Sequence, residues 1–371
     1  MPKNKNSFSL VRQKRALSLL EWCVGFRPAG SVWVLLLVLR GFSLVEIGMA
    51  EGLFHVVSLC CELPSGLLAD VLGRKRTLIA SQAMFLLSAL LMVGLDSRLG
   101  VCLSLAASAM AFNLESGTRE AITYESMLQA GREADYLKFS SLQNGIYRFS
   151  GGGAMLLAGA TLLLGWRTAY LLDAGIELIG LAATLCLTEP VCAERDRTAV
   201  ALASLPNALK DTVQGAWTLL RTDGTAVRIM LVNALVGACA TLTGFFLQQR
   251  VEAAVTIPAL LGPALFVLEL GGGLAGLLTG KLDRLPYGKA AVLTGAGVAV
   301  CAAAARGGCL PVLMAAGLAA GLLDDALQLV SDKRLNERFP SAQRATLVSV
   351  SSMAFSVFMI PLSPLFGWFF S

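Results

Sequence analysis

The sequence lacks the residues on which many enzymes and metal proteins depend. It has a single histidine, His55, so the HExxH arrangement and other multi-histidine metal sites are excluded. It contains no CxxC pair and no GxxxxGK[ST] loop, which argues against zinc ribbons and against nucleotide-driven pumping. We expect no metal site, no cofactor, no nucleic-acid partner and no enzymatic activity.

Charged residues are also scarce. Only 15% of the 371 residues are charged and 56% are hydrophobic, whereas about 25% of the residues of a soluble domain are charged. This balance indicates that the solvent of the chain is a lipid bilayer. The nine cysteines lie mostly in or beside apolar runs, so we expect small buried hydrophobes rather than disulfides or metal ligands.

Long apolar stretches recur along the whole chain. A helix needs about 20 apolar residues to cross the hydrocarbon layer of a membrane. The sequence predicts eleven spans, at 17–39, 44–69, 75–95, 99–125, 141–165, 167–188, 228–250, 258–281, 287–306, 309–331 and 345–370. The predicted fold class is therefore all-α, a polytopic membrane protein whose first span is retained rather than cleaved.

Lysine and arginine are distributed unevenly between the two sides of these spans. With the N-terminus in the cytoplasm, most basic residues fall on cytoplasmic segments, as the positive-inside rule requires. The opposite turns hold only Arg40, Arg98, Arg167, Arg250 and Arg306. The distribution predicts a multi-pass protein with a cytoplasmic N-terminus.

The chain divides into two related halves around its longest polar segment. GLLADVLGRKRT after the second span has a degraded echo, GLLTGKLDRLPYGK, after the eighth. Paired halves of this kind are typical of one class of secondary transporters. The predicted domains are a six-helix bundle at 1–188, a cytoplasmic linker with an amphipathic helix at 189–227, and a five-helix bundle at 228–371.

The link between spans two and three combines two glycines with a group of charges. Gly66 and Gly73 permit close backbone approach and a tight turn, while Asp70 lies four residues before Arg74. A charge cluster at a helix end can form in one conformation and break in another, as a gate requires. For Lys75, an orienting charge is an equally good interpretation. The predicted gating loop consists of Gly66, Asp70, Gly73, Arg74 and Lys75.

The pattern Gly66-x-Leu68-Ala69-Asp70-x-x-Gly73-Arg74-Lys75-Arg76 resembles the signature loop of the major facilitator superfamily. The resemblance implies two bundles around a midplane cavity, transport by alternating access, and buried carboxylates that carry a coupling proton. It also implies a transporter in the bacterial plasma membrane that exports a small organic or amphiphilic compound. In this architecture the first, fourth, seventh and tenth spans line the cavity.

Ionisable residues within those four spans are the second signal of function. A charge near the bilayer centre costs about 2.5–3.5 kcal/mol, so such residues should face a wet cavity or a partner. A structural role is the alternative for several of these residues. Arg27 could simply pair with an acid such as Glu21, and the charged residues of span four could form ordinary ion pairs at a helix end. The candidate substrate or proton cavity consists of Arg27, Glu115, Arg119, Glu120, Asp324 and Asp325.

Other polar residues within the spans are interpreted as structural. Arg148 in span five, and Asp173 with Glu177 in span six, are expected to support helix packing. His55 in span two is expected to be a satisfied interior histidine, with a proton relay as the alternative.

The resemblance extends to Ser371, although members of the family carry a twelfth span after this point. We expect either a truncated coding sequence or a protein of eleven spans, with a helper helix or second subunit in place of the twelfth. The expected partners are thus the lipid bilayer, a small-molecule substrate and that helper. The alternative function is a membrane sensor or assembly partner with a degenerate transporter fold, which would show no substrate-dependent ion flux.

Overall fold

The structure is a computed structural model that describes residues 8–191, 210, 214, 221, 223–338 and 344–371, with residues 344–347 described by their backbone alone. Within these ranges the regular structure is helical, without a strand, which confirms the all-α prediction. The helices up to residue 191 are α1 (Leu10–Gly25), α2 (Pro28–Ser31), α3 (Trp33–Leu39), α4 (Leu44–Leu72), α5 (Arg74–Gly94), α6 (Arg98–Glu115), α7 (Thr118–Gln129), α8 (Tyr136–Leu156), α9 (Ala158–Leu164) and α10 (Trp166–Cys186). Those after residue 223 are α11 (Gly224–Ala254), α12 (Leu261–Gly273), α13 (Gly276–Asp283), α14 (Tyr287–Ala305), α15 (Leu310–Arg338) and α16 (Arg344–Phe370).

Helices occupy all eleven predicted spans. In the described part of the chain, 9 helical segments are long and apolar enough to cross a membrane, and they coincide with predicted spans two to four and six to eleven. The first predicted span consists instead of the three short helices α1 to α3, and the fifth consists of α8 followed by α9. The spans are therefore correct in position, whereas two of them are more broken than their hydropathy indicates.

The breaks within the spans have local causes. Pro28 has no backbone N–H and cannot continue α1, so the chain leaves the helix at Phe26 and starts again at α2. Gly117 has a φ of 71°, a left-handed conformation that favours glycine, and it separates α6 from α7. Interrupted helices leave backbone groups available in the middle of a membrane, which is a recurring feature of transporters.

The chain forms two compact units. Unit 1 comprises the described residues of 1–31, 63–154 and 167–209, and unit 2 those of 32–62, 155–166 and 210–371. The core of unit 1 is built from α1, α5, α7 and α8, and its central side chains include Leu17, Leu78, Ile122 and Phe139. In unit 2, smaller clusters of buried residues join α11, α13, α14, α15 and α16.

The linker and the cysteines are the two features for which the sequence predictions are untested or partly wrong. The amphipathic linker helix lies almost entirely outside the described residues, and the domain boundaries at 188/189 and 227/228 remain predictions. All the described cysteines are free thiols, but the expectation that they are buried is wrong for Cys60, Cys186 and Cys309, which are exposed.

Candidate functional site

A cluster of buried charges lies in unit 1 beside the break between α6 and α7. Arg119, just after the break, pairs with Glu21 of α1 at 2.8 Å and with Glu115 of α6 at 3.1 Å. The amide nitrogen of Gln143 donates to the other oxygen of Glu21 at 3.3 Å. The i, i+4 pair of Glu115 and Arg119 agrees with the sequence prediction, and Glu21 is an additional partner that helical spacing does not reveal.

Arg27 forms the second part of this cluster, at the break between α1 and α2. Its Nε lies 3.2 Å from Glu177 of α10, and its guanidinium stacks on the Phe85 ring at 4.5 Å. Asp173, one turn before Glu177, accepts hydrogen bonds from the backbone N–H groups of Ala29 and Gly30, both at 3.0 Å. Of the alternatives left open for Arg27, pairing with a nearby acid describes the geometry, and the acid is Glu177 instead of Glu21.

The cluster carries more negative than positive groups. Arg27 also lies close enough to Glu115 for an electrostatic interaction, so the two parts form one network. Its four carboxylates are at most 7% exposed and face two guanidinium groups, which leaves two negative charges unbalanced if every carboxyl is ionised. The carboxylates are Glu21, Glu115, Asp173 and Glu177. Uncompensated charge is costly inside a protein.

Glu120, Tyr147 and Arg148 are among the polar side chains of unit 1 that are exposed within the membrane-spanning segments. Glu120 and Arg148 form no ion pair with any described residue. The Tyr147 ring lies 5.9 Å from the Arg119 guanidinium and is 44% exposed, so it stands at the accessible edge of the charge cluster. The interpretation of Arg148 as a packing support is therefore wrong, because a packing residue would be buried against a partner.

An open apolar groove lies next to this edge. It has a volume of about 530 Å³ and is formed by α1 and α8, with Trp22, Phe26 and Phe149 as its largest side chains. Trp22 and Phe26 stack with their ring centroids 4.9 Å apart, which creates a flat aromatic wall. A wall of this kind suits an apolar ring.

The predicted gating loop forms a compact cluster of interactions where α4 ends and α5 begins. Arg74 pairs with Asp70 at 3.0 Å, as the i, i+4 spacing predicts, and its Nε lies 3.3 Å from Glu125 of α7. Lys75 donates from Nζ to the carbonyl oxygen of Leu185 at 2.9 Å. The loop thereby connects α4 and α5 to α7 and α10 within unit 1.

Glu189 closes the same cluster from the end of α10. Its carboxylate accepts the backbone N–H groups of Arg74 and Lys75 at 2.8 and 2.7 Å, so it caps the first turn of α5. Gly73 has a φ of 95°, and a Cβ atom at this position would lie 2.7 Å from a Glu189 oxygen. Close approach therefore explains Gly73. It does not explain Gly66, where a Cβ atom would meet no described atom within 4 Å.

The chain is anchored as it leaves unit 1. The Gln13 side chain accepts from the backbone N–H of Thr188 at 2.9 Å and donates to its carbonyl oxygen at 3.0 Å. The N–H of Val191 donates to the Gln129 side chain at 3.1 Å. With Glu189 held on α5, these bonds fix the segment that precedes residue 192.

Asp324 and Asp325 lie on α15 in unit 2 and point to different neighbours. A Cβ atom at Gly237 of α11 would be 3.3 Å from Asp324, and one at Gly272 of α12 would be 2.3 Å from Asp325. Within the described ranges, neither carboxylate has a hydrogen bond or an ion pair. One turn further along α15, Gln328 accepts from Asn233 at 2.5 Å and donates to Asp332 at 3.1 Å.

Sequence reasoning did not single out Glu125 and Glu189. Both are acidic residues at the end of a predicted span, on the side where basic residues predominate, and this contrast is the signal that could have identified them. Among the residues that the structure describes, no three His, Cys, Asp or Glu side chains are grouped as a metal site would require.

Solved structures of transporters share this fold. A variant of the nucleoside transporter NupG aligns with a TM-score of 0.74 and 15% identity, covering 96% of this chain and 90% of its own. A POT family transporter in complex with 5-aminolevulinic acid aligns with a TM-score of 0.68 and 12% identity, covering 96% of this chain and 90% of the transporter. Tetrameric PepTSo2 aligns with a TM-score of 0.65 and 13% identity, covering 97% of this chain and 94% of PepTSo2. At such identities the likeness is one of fold alone.

No curated protein matches the chain in sequence. A family model does, over residues 23–360, which include the gating loop, the unit 1 charge cluster apart from Glu21, and both aspartates of α15. The chain belongs to the Major Facilitator Superfamily, a family of membrane transporters and not of enzymes.

Proposed function

We propose that the protein is a proton-coupled secondary transporter that moves a small organic or amphiphilic compound by alternating access. The observation that carries this proposal is the charge imbalance of the unit 1 cluster, where four buried carboxylates face two arginines. A transporter coupled to protons needs buried acids whose protonation changes during its cycle. A purely structural ion-pair network would instead be expected to balance its charges.

The substrate class follows from what surrounds this cluster. The aromatic groove formed by Trp22, Phe26 and Phe149 suits an apolar ring, and the exposed Arg148 and Glu120 suit polar or charged groups. Nucleosides and peptides, the cargo named for NupG and for the peptide transporter of similar fold, combine such parts. Export is the direction implied by the sequence resemblance, and a bacterial plasma membrane with a cytoplasmic N-terminus is the location proposed with it.

The Asp70, Arg74, Glu125 and Glu189 cluster acts as the gate in this proposal. The Asp70 side chain is 60% exposed, so its ion pair can break at little cost when the helices move. The two charge-assisted bonds from α5 to Glu189 hold the other side of the cluster. Closing and opening then reuse the same few contacts at the ends of α4, α5, α7 and α10.

The test uses purified protein in liposomes that contain a pH-sensitive dye. Nucleosides, dipeptides and amphiphilic cations are added in turn, with a pH gradient imposed in each direction. We expect one class to produce a substrate-dependent proton flux, and Glu21→Gln, which removes one buried carboxylate but keeps a polar side chain, to reduce that flux at least tenfold.

The matched control is Asp96→Asn, which removes an exposed carboxylate paired with Arg167 outside the cluster. This variant should transport as the wild type does. If a compound is transported at equal rates with and without a proton gradient, and Glu21→Gln transports it normally, the proposed coupling is wrong. If no compound moves although the protein is folded, the sensor alternative is favoured.

A further inference from the structure

Unit 2 contains a closely packed contact between the N-terminal part of α4 and α16. A Cβ atom at Gly48 would lie 2.3 Å from the Ser363 carbonyl oxygen, and one at Gly367 would lie 2.3 Å from that of Leu44. The two helices therefore approach through glycines at both of these positions. Any group that lies between them has little room and little water.

Polar residues nevertheless follow the contact as a continuous row. On α4, Glu51, His55 and Ser58 are at most 7% exposed, and their spacing of four and three residues places them on one helical face. Glu62 continues the row after one further turn. Serines of α16 lie opposite, at positions 349, 352 and 356.

The hydrogen bonds across this row centre on the histidine. The Nε2 atom of His55 lies 3.3 Å from the Glu51 carboxylate, and Nδ1 lies 3.2 Å from the Ser356 hydroxyl. Phe54 and Phe355 contact the ring edge-on, with centroids 5.2 and 5.6 Å away. Both ring nitrogens thus have oxygen partners, so an imidazolium could donate a hydrogen bond from each of them.

The charged groups around the imidazole are acidic. Among the described residues no Lys or Arg pairs with Glu51, so His55 is the cation available to it. Two other titratable groups lie near the contact. Glu62 on α4 accepts hydrogen bonds from Ser352 and Ser349, and Asp324 on α15 lies, like Phe355, close to Gly237 of α11. Cys61 lies beside Glu62. These groups are acids, and loss of the proton from His55 would leave Glu51 as an uncompensated buried charge.

We propose that His55 and Glu51 form a proton-binding site that holds the N-terminal half of α4 against α16. The bound species is a proton on the imidazole, shared by hydrogen bonds with the Glu51 carboxylate and the Ser356 hydroxyl. When the proton leaves, the unpaired carboxylate requires water, and the two helices separate to admit it. This site is distinct from the unit 1 cluster and does not require that any particular compound be transported.

The single histidine makes a direct test possible. Protein labelled with 15N-histidine and purified without a histidine tag gives one imidazole signal, which reports the protonation of both ring nitrogens between pH 5 and pH 9. We expect a doubly protonated ring at the acidic end that becomes neutral as the pH rises. In Glu51→Gln the doubly protonated signal should be lost at a pH where the wild type retains it.

Amide hydrogen exchange tests the link to packing in the same samples. On deprotonation, protection over residues 47–58 and 352–363 should fall at least about tenfold after correction for the intrinsic effect of pH, while unit 1 helices such as α5 stay unchanged. In His55→Gln, which retains hydrogen-bonding groups without a titrating charge, this pH dependence should disappear.

A ring that stays neutral from pH 5 to pH 9 would overturn the proton site. A ring that titrates without any change in protection of the two segments would overturn its role in holding α4. Both results come from the wild-type protein, so they stand even if a variant fails to fold. They are also independent of the liposome experiment, whose failure would leave this site untouched.

Discussion

Two glycines of the gating loop should respond to alanine in opposite ways. Gly73 has a φ of 95° and a ψ of 155°, a combination that is essentially restricted to glycine and costs other residues about 1–3 kcal/mol. An alanine methyl would also lie 2.7 Å from Glu189, displacing the carboxylate that caps α5. Each lost charge-assisted bond is worth about 1.5–3 kcal/mol, less where the site is partly exposed.

Gly66 lies inside α4, where a methyl group would meet no described atom. Replacing glycine by alanine in the interior of a helix is favourable by about 0.5–1 kcal/mol. We therefore expect Gly73→Ala to lower the free energy of unfolding by about 2–4 kcal/mol and Gly66→Ala to raise it by up to about 1 kcal/mol.

The assay is thermal unfolding of the purified protein in detergent, followed by tryptophan fluorescence. At about 2–4 °C per kcal/mol, Gly73→Ala should lower the Tm by roughly 4–16 °C and Gly66→Ala should raise it by about 1–4 °C. Two shifts of the same sign would refute the reasoning. A stable Gly66→Ala protein that no longer transports would show that this glycine is needed in another conformation of the cycle.

Two further predictions concern the charged groups. Arg119→Gln leaves Glu21 and Glu115 buried without their cation and should destabilise the protein by about 3–5 kcal/mol. Adding Glu21→Gln and Glu115→Gln to this variant should restore most of the Tm. Failure of this rescue would contradict the pairing. The backbone N–H of Ala226, assisted by Arg338, lowers the pKa of Asp223, the cap of α11, below its ordinary value. A lowered pKa means that the stabilisation is present above the unfolded value of about 3.9 and is lost as the pH falls through the folded value. Protection of residues 226–230 should therefore fall on acidification, and it should not do so in Asp223→Asn.

Periodicity and composition predict the parts of this molecule that depend on neighbours along the chain. The spans follow from the length of apolar runs, and the pairs Asp70–Arg74 and Glu115–Arg119 follow from the i, i+4 rule. The break at Pro28 follows from the missing N–H of proline. Each of these features is local, so a single sequence contains the information that it needs.

The remaining partners join residues far apart in sequence. Arg27 reaches Glu177, and Glu189 caps a helix that begins more than a hundred residues earlier. Helical spacing identifies which face a residue occupies, but it does not identify the helix that lies opposite. Arg148 illustrates the limit: a charge inside an apolar span indicates a partner or a cavity, and only the packing decides that it faces the open side.

The anchored exit from unit 1 has a practical consequence for protein engineering. Thr188, Glu189 and Val191 are each tied to a different helix, so even one extra residue between them would move the Glu189 carboxylate away from the start of α5. A protease site or fluorescent reporter should therefore be inserted after Val191. Placed there, it leaves every one of these ties in register.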